Sequence, residues 1–164
     1  MLSYALSFLL ALVLHELGHC LAAHACKVGV SEFGIGWGRE IYRVRLGRFD
    51  YAIRRLPIGA YVRLNLSDLR TRPLGQQVLV LLAGVIVNLV AASATTGTDF
   101  SEANFLLAAT NLLPLYQQDG WKCGMVVLRQ ILRRNSSFVE WTFTASGSGL
   151  SLILIAVVIF RMAS

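Results

Sequence analysis

Residues 11–25 read ALVLHELGHCLAAHA. His15, Glu16 and His19 sit there in a run otherwise suited to lipid, where ionisable groups are costly and face a protein interior or a wet cavity. Residues four apart on a helix share one face, so His15 and His19 can present two imidazoles to one metal ion. Glu16 lies beside that face. H-E-x-x-H is the arrangement of zinc hydrolases in which the glutamate is the general base. Gly18 leaves the helix surface open beside the pair. Burying three such groups without a metal would cost on the order of several kcal/mol. The pattern therefore predicts one bound zinc ion.

Catalytic zinc takes three protein ligands and a water. His24 is the only other histidine. Nine residues past His15, it lies about 180° around the helix and cannot reach the same metal. Cys20 points off the face. Asp119 is the remaining candidate. It follows Asn111 and Pro114 in a long apolar stretch, and Pro114 breaks or bends a helix there. Broken helices at membrane depth are tolerated where they line a cavity. With no cation expected beside it in the span, a carboxylate placed there calls for a metal. The alternative is an aspartate capping a helix restart. Asn88 shares a helix face with Gly84 and is a candidate for binding substrate backbone or the oxyanion, or for an interhelical polar contact. Asn111 has the same choice between substrate or ligand support and helix capping.

These residues need a membrane scaffold to hold them. Of 164 residues, 55% are hydrophobic and 15% charged, with mean hydropathy +0.61. Soluble domains carry about 25% charged residues. The expected class is an all-α polytopic membrane protein forming one domain over residues 1–164. Four spans are predicted, near 3–25, 74–94, 103–132 (broken near 111–120) and 138–162. A β-rich segment is expected over about 28–65. "IYRVRL" and "FDYAIR" alternate with period two around Gly47 and Arg48, a hairpin signal. Residues 95–102 read as a short polar link. The N-terminus lacks a basic leader region, so the first span is expected to stay uncleaved.

The net charge of +6 does not point to nucleic acid. Ten of the fifteen Lys and Arg lie between Lys27 and Arg72, and four between Lys122 and Arg134. That bias places residues 26–73 and 122–136 on the cytoplasmic side, and both termini and the 95–104 link outside. Cys20, Cys26 and Cys123 form no C-x-x-C pair, so no disulfide framework is indicated.

At this point the chain resembles the site-2 protease family of intramembrane zinc metalloproteases, peptidase family M50. HELGH at 15–19 looks like its H-E-x-x-H. "NLLPLYQQDG", 111–120, is similar to its N-x-x-P-x-P-x-x-D-G. "GVIVN", 84–88, looks like its G-x-x-x-N. "FGIGWG" and "PIGAYV" resemble the glycine-rich segments of its membrane-associated β-hairpin region. The resemblance implies that His15, His19 and Asp119 bind zinc and that Glu16 is the catalytic base. It implies cleavage of transmembrane segments of membrane proteins, or of signal-peptide remnants, within the bilayer of a bacterial cytoplasmic membrane. Tyr116 stands where the family has a second proline, and Gln118 where an apolar residue precedes Asp-Gly. No PDZ domain is expected, and the chain reads as a minimal core.

An unwound substrate is expected to add to the strand region near 41–64, with 49–56 the segment most sensitive to proline. Histidine-box di-iron oxygenases need about eight histidines, and three are present. A catalytically silent scaffold that binds partner helices has no need of Glu16. A metal transporter has no need of H-E-x-x-H.

Overall fold

A computed structural model describes residues 2–47, 49–132 and 137–163. Helix α1 (Leu2–Ala25) leads into strands β1 (Val30–Leu46) and β2 (Phe49–Leu64). A short helix α2 (Leu66–Arg70) follows, then α3 (Leu74–Ala94), α4 (Asp99–Leu112), α5 (Asp119–Leu132) and α6 (Ser137–Ala163). The protein is thus helical with a small antiparallel sheet between its first two long helices.

Among the described residues, two helices are long and apolar enough to cross a membrane, Ser3–Ala25 and Leu74–Ala94. Only 22% and 39% of these stretches are buried, so their apolar side chains, among them Leu6, Leu10, Leu17, Ile86 and Val90, face outward. A core helix of a soluble protein would hide that surface. The expected third span is two 14-residue helices, α4 and α5, each too short to cross alone at about 1.5 Å per residue. They flank a break over 113–118. The break agrees with the Pro114 expectation, and Gln117 within it takes φ 75°, a conformation most side chains avoid.

Helix α4 begins four residues before the expected 103. Thr98 accepts a hydrogen bond from the Ser101 amide as its cap, and Asp99 and Glu102 occupy the favourable first turn. What read as a polar link is a helix start. Helix α2 was not anticipated. The Asn65 side chain caps it, and Asp68 accepts from the Gly29 amide at 3.0 Å, tying the two ends of the sheet region together.

The long helices pack through small residues. A Cβ on Gly18 would lie 2.8 Å from the Ala83 carbonyl oxygen, so α1 and α3 touch backbone to backbone. Ala11 packs with Ala103 and Leu107 of α4. At the other end, Ala23, Cys26, Val28, Val30, Leu69, Val80 and Leu81 form a second core that seats the sheet on the helices.

The hairpin runs from Leu46 opposite Phe49 out to Val30 opposite Leu64. Arg48 of its turn lies outside the described residues. The strands are bent at Gly36, Gly38 and Gly59, all with positive φ. Gly36 also lies so close to β2 that a Cβ would meet the Leu56 carbonyl oxygen at 2.5 Å. The bend folds the hairpin over on itself. Residues Glu32 to Ile35 therefore have partners on both sides, Arg63 to Ala60 and Asp50 to Ile53. This corrects the expectation for 49–56. Residues 50–53 are interior, with no edge to receive an added strand; the outer edges are 40–46 and 60–64.

One acid organises this sheet. Glu32 is 3% exposed. It accepts from the Tyr61 hydroxyl and from Arg63 Nη1 (3.1 Å), with Arg43 and Arg54 each 3.6 Å away. The Tyr61 hydroxyl, together with the three guanidiniums, holds the carboxyl below its usual range despite burial. A carboxyl lowered on folding stabilises above its unfolded value of about 4.3, and that stabilisation fades as pH falls through the lower folded value. Glu32→Gln is expected to speed amide exchange at 32–35 and 60–63 at pH 7, by an opening cost about 1–2 kcal/mol smaller. The difference from wild type should shrink below pH about 4. Equal exchange at pH 7 would show that the cluster does not hold the sheet.

Candidate metal centre

Helix α1 sets His15 and His19 on one face because they are four residues apart, and both are buried, at 4% and 6% exposure. That face meets α3 at Gly84. A Cβ there would lie 2.6 Å from His19 Nε2 and 2.7 Å from His15 Nε2, so only glycine leaves room for the two rings. From the far side of the break, Asp119 opens α5 and turns its carboxylate inward, 4% exposed. Gly120 permits the approach, since a Cβ there would collide with the Leu112 carbonyl oxygen at 2.2 Å.

Three atoms converge as a result. Asp119 Oδ2 lies 2.9 Å from His15 Nε2 and 3.0 Å from His19 Nε2, and the two nitrogens are 3.2 Å apart. Tetrahedral zinc with bonds of about 2.0–2.1 Å separates its donors by about 3.3 Å, close to these three edges.

The outer ring nitrogens show how each ring is held. His19 Nδ1 donates to the Val80 carbonyl oxygen at 2.8 Å, and a carbonyl can only accept. His15 Nδ1 donates to Asn88 Oδ1 at 2.6 Å. With Nδ1 donating outward, each imidazole turns its Nε2 toward the same carboxylate oxygen. Three electron-rich atoms this close, away from water, fit a cation between them, and a bonded Nδ1–H is how metal-binding histidines are oriented. Two imidazole nitrogens and one carboxylate oxygen form a donor set suited to catalytic zinc, which takes a water as its fourth ligand.

Glu16 is half-buried and follows His15 directly on α1. His24 is exposed and outside the cluster, as its helical angle predicts. The structure thus brings His15, Glu16, His19 and Asp119 together.

Other expectations change. A cation does stand beside Asp119: Lys122 Nζ is 3.0 Å from Oδ1, one turn along α5. The pairing leaves Oδ2 alone to face the histidines. Asn88 has no exposed surface, and its amide is spent on His15, on the Ala11 carbonyl oxygen (3.1 Å) and on Asn104 (2.6 Å). It orients a histidine. Asn111 returns its amide to the Leu107 carbonyl oxygen at 3.0 Å, as a helix-end group does. Tyr116 packs edge-on against Trp121, ring centres 5.1 Å apart, and Trp121 stacks on Phe143 of α6. An aromatic contact thus steadies the break where the family motif has its second proline.

Asn104, Lys122 and the Val80 carbonyl were not foreseen. Asn104 carried a signal, being a lone amide in an apolar helix two turns before Asn111. The Val80 carbonyl carried none, since any residue supplies one.

Comparison with known proteins agrees with this geometry. The sequence model of peptidase family M50 matches residues 3–102, which include His15, Glu16, His19, Gly84 and Asn88. Asp119 lies past that match and joins the site through the fold. A provisionally named zinc metalloprotease of Fusobacterium nucleatum is 35% identical over 102 residues, covering 53% of this chain and 30% of that protein. One of Chlamydia trachomatis is 44% identical over 64 residues, covering 39% and 10%. A provisionally named chloroplast membrane metalloprotease of Arabidopsis thaliana is 32% identical over 95 residues, covering 51% and 22%. The matches span less than a third of the length of these relatives.

Gly84→Ala is expected to weaken zinc binding by about 100-fold or more, because coordination tolerates displacements of only about 0.2 Å. Gly75→Ala, where a Cβ meets nothing within 4 Å, should bind as wild type. Competition with a fluorescent chelator reads both, with helix content checked by circular dichroism. Zinc binding in Gly84→Ala equal to wild type would place the metal elsewhere.

Proposed function

The chain belongs to peptidase family M50, and on that footing we propose that it is an intramembrane zinc metalloendopeptidase that cleaves transmembrane segments of membrane proteins or signal-peptide remnants. The observation that carries this reading is the convergence of His15 Nε2, His19 Nε2 and Asp119 Oδ2 within 3.2 Å, with Glu16 beside them, on helices whose outer faces are apolar.

In this reading His15, His19 and Asp119 hold one zinc ion. Zinc bound there supplies Lewis acidity and lowers the pKa of a water toward about 7. Glu16 accepts the proton of the attacking water on its carboxylate and delivers it to the leaving amine. Lys122 fixes Oδ1 of Asp119 so that Oδ2 keeps its direction. The half-buried Gln118 and the exposed Gln117 at the break offer water a polar way in. The chain is multi-pass in a bacterial cytoplasmic membrane, with α4 and α5 together making a third crossing, α6 a fourth, and the basic sheet region on the cytoplasmic side.

A helical substrate hides its peptide bonds and must unwind. The outer edge over 40–46 is the strand that could receive it, flanked by the exposed Trp37, Ile41 and Tyr42. A silent scaffold remains the competing reading, and Glu16 separates the two.

Coexpression with tagged single-span substrates tests the assignment. Glu16→Gln is expected to lower cleavage by about 10²–10⁴-fold with zinc retained. Equal cutting by both proteins, or no cutting by a zinc-loaded wild type, would end the protease reading. For the strand role, proline placed in turn at Tyr42, Arg43 and Val44 should reduce cleavage while zinc stays bound. Full cleavage by all three variants would exclude that edge.

A further inference from the structure

Asn104 lies on α4 and touches none of the three converging atoms, yet it is fully buried and its amide is committed at both ends. Its Nδ2 donates to the Phe100 carbonyl oxygen of its own helix at 2.8 Å. A carbonyl can only accept, so this bond fixes which end of the Asn104 amide is nitrogen. Oδ1 is left facing Asn88, whose Nδ2 donates to it at 2.6 Å. The second hydrogen of that Nδ2 goes to the Ala11 carbonyl oxygen at 3.1 Å. With both hydrogens used, Asn88 turns Oδ1 to His15 Nδ1, 2.6 Å away.

The relay reaches the metal centre through one proton. An acceptor opposite His15 Nδ1 keeps a hydrogen on Nδ1 and reserves Nε2, the atom aimed at Asp119 and His19, for a metal. Were the Asn88 amide reversed, its NH₂ would face Nδ1. The imidazole would then carry its hydrogen on Nε2, where no metal can bind. Asn88 by itself is ambiguous, because the two ends of an amide are nearly the same size. What breaks the symmetry is the pair of acceptors around Nδ2. One is the Ala11 carbonyl, supplied by a backbone. The other is Asn104, supplied by a side chain that the Phe100 carbonyl has already oriented.

We propose that Asn104 is a positioning residue for the metal centre: it locks the Asn88 amide in one orientation and so keeps a hydrogen on His15 Nδ1. The proposal rests on the metal-centre reading above only in its consequence for zinc. The orientation of the Asn88 amide is a property of the metal-free protein.

Nitrogen-15 NMR of histidine-labelled, metal-free protein reads directly whether His15 Nδ1 carries a hydrogen. In the wild type Nδ1 is expected to carry one, and in Asn104→Leu a fraction of molecules is expected to have Nδ1 bare. Zinc affinity by chelator competition should fall about tenfold, as for loss of a group that orients a ligand. Asn104→Asp should restore both readouts. Its carboxyl, neutral at a fully buried site, still accepts from Asn88 and donates to the Phe100 carbonyl. In an Asn88→Ala background, Asn104→Leu should change zinc affinity no further, because the effect runs through Asn88. Asn104→Ser, too short to reach Asn88, replaces the leucine variant where that one does not fold. An unchanged Nδ1 hydrogen on His15 in Asn104→Leu, or the same tenfold loss without Asn88, would overturn the proposal. A wild type that binds no zinc would overturn the metal-centre reading alone, and the Nδ1 measurement would still decide the role of Asn104.

Discussion

Two imidazole nitrogens and a carboxylate oxygen lie within 3.2 Å of one another among apolar helices. Polar groups of this kind do not gather in such a place unless something compels them. Much of the fold can be understood as meeting that demand. Helix α1 contributes two donors through its own periodicity. The third has to come from a chain segment about a hundred residues later, and its helix must begin at the depth where the histidines lie. A continuous helix would carry Asp119 on a side face with its backbone amides already bonded. Breaking the helix at 113–118 lets α5 begin at that depth, and the strained Gln117 is part of the cost of the break.

Close approach is the second requirement. Gly18, Gly84 and Gly120 are each placed where a methyl group would strike a backbone oxygen or an imidazole. Helices in an apolar solvent gain little by hiding hydrophobic surface from one another, so packing contacts and buried polar bonds must hold them. The Asn88 amide joins α1, α3 and α4 in one set of hydrogen bonds. That set serves cohesion and chemistry together, because the bonds that tie the helices also orient His15.

The sheet is organised by different physics. It lies at the basic end of the long helices, where charge is solvated, and a glutamate under three arginines can serve as its centre. Its folded-over hairpin hides the backbone of 50–53 and leaves 40–46 as an outer edge. The core of Ala23, Val28, Val30, Leu69 and Val80 fixes that sheet to α1 and α3 within a few residues of His19. The same Val80 that packs in this core supplies the carbonyl that orients His19. Movement of the sheet against the helices would therefore be felt at the metal centre.

Local pattern was enough to read several features from the amino-acid sequence. His15 and His19 share a face because helical spacing requires it. The ends of α1 and α3 follow from the length of the apolar runs. The hairpin follows from period-two alternation around Gly47, and the helix break follows from Pro114. Even Asp119 could be singled out, since an acid beside a broken apolar helix has few other uses. The start of α4 was misjudged because Thr98, Asp99 and Glu102 read equally well as a polar link or as the cap and first turn of a helix. Other features depended on which residues meet across the chain, and spacing holds no record of that. Only the tertiary structure put Lys122 against the outer oxygen of Asp119, made 50–53 an interior strand, and set Asn88 against His15. Only it could show that the Val80 carbonyl and Asn104 matter, because a hydrogen bond between distant segments is decided by where packing brings the helices. The sequence determined which groups could bind a metal; the packing of α1, α3, α4 and α5 decided which of their atoms face it.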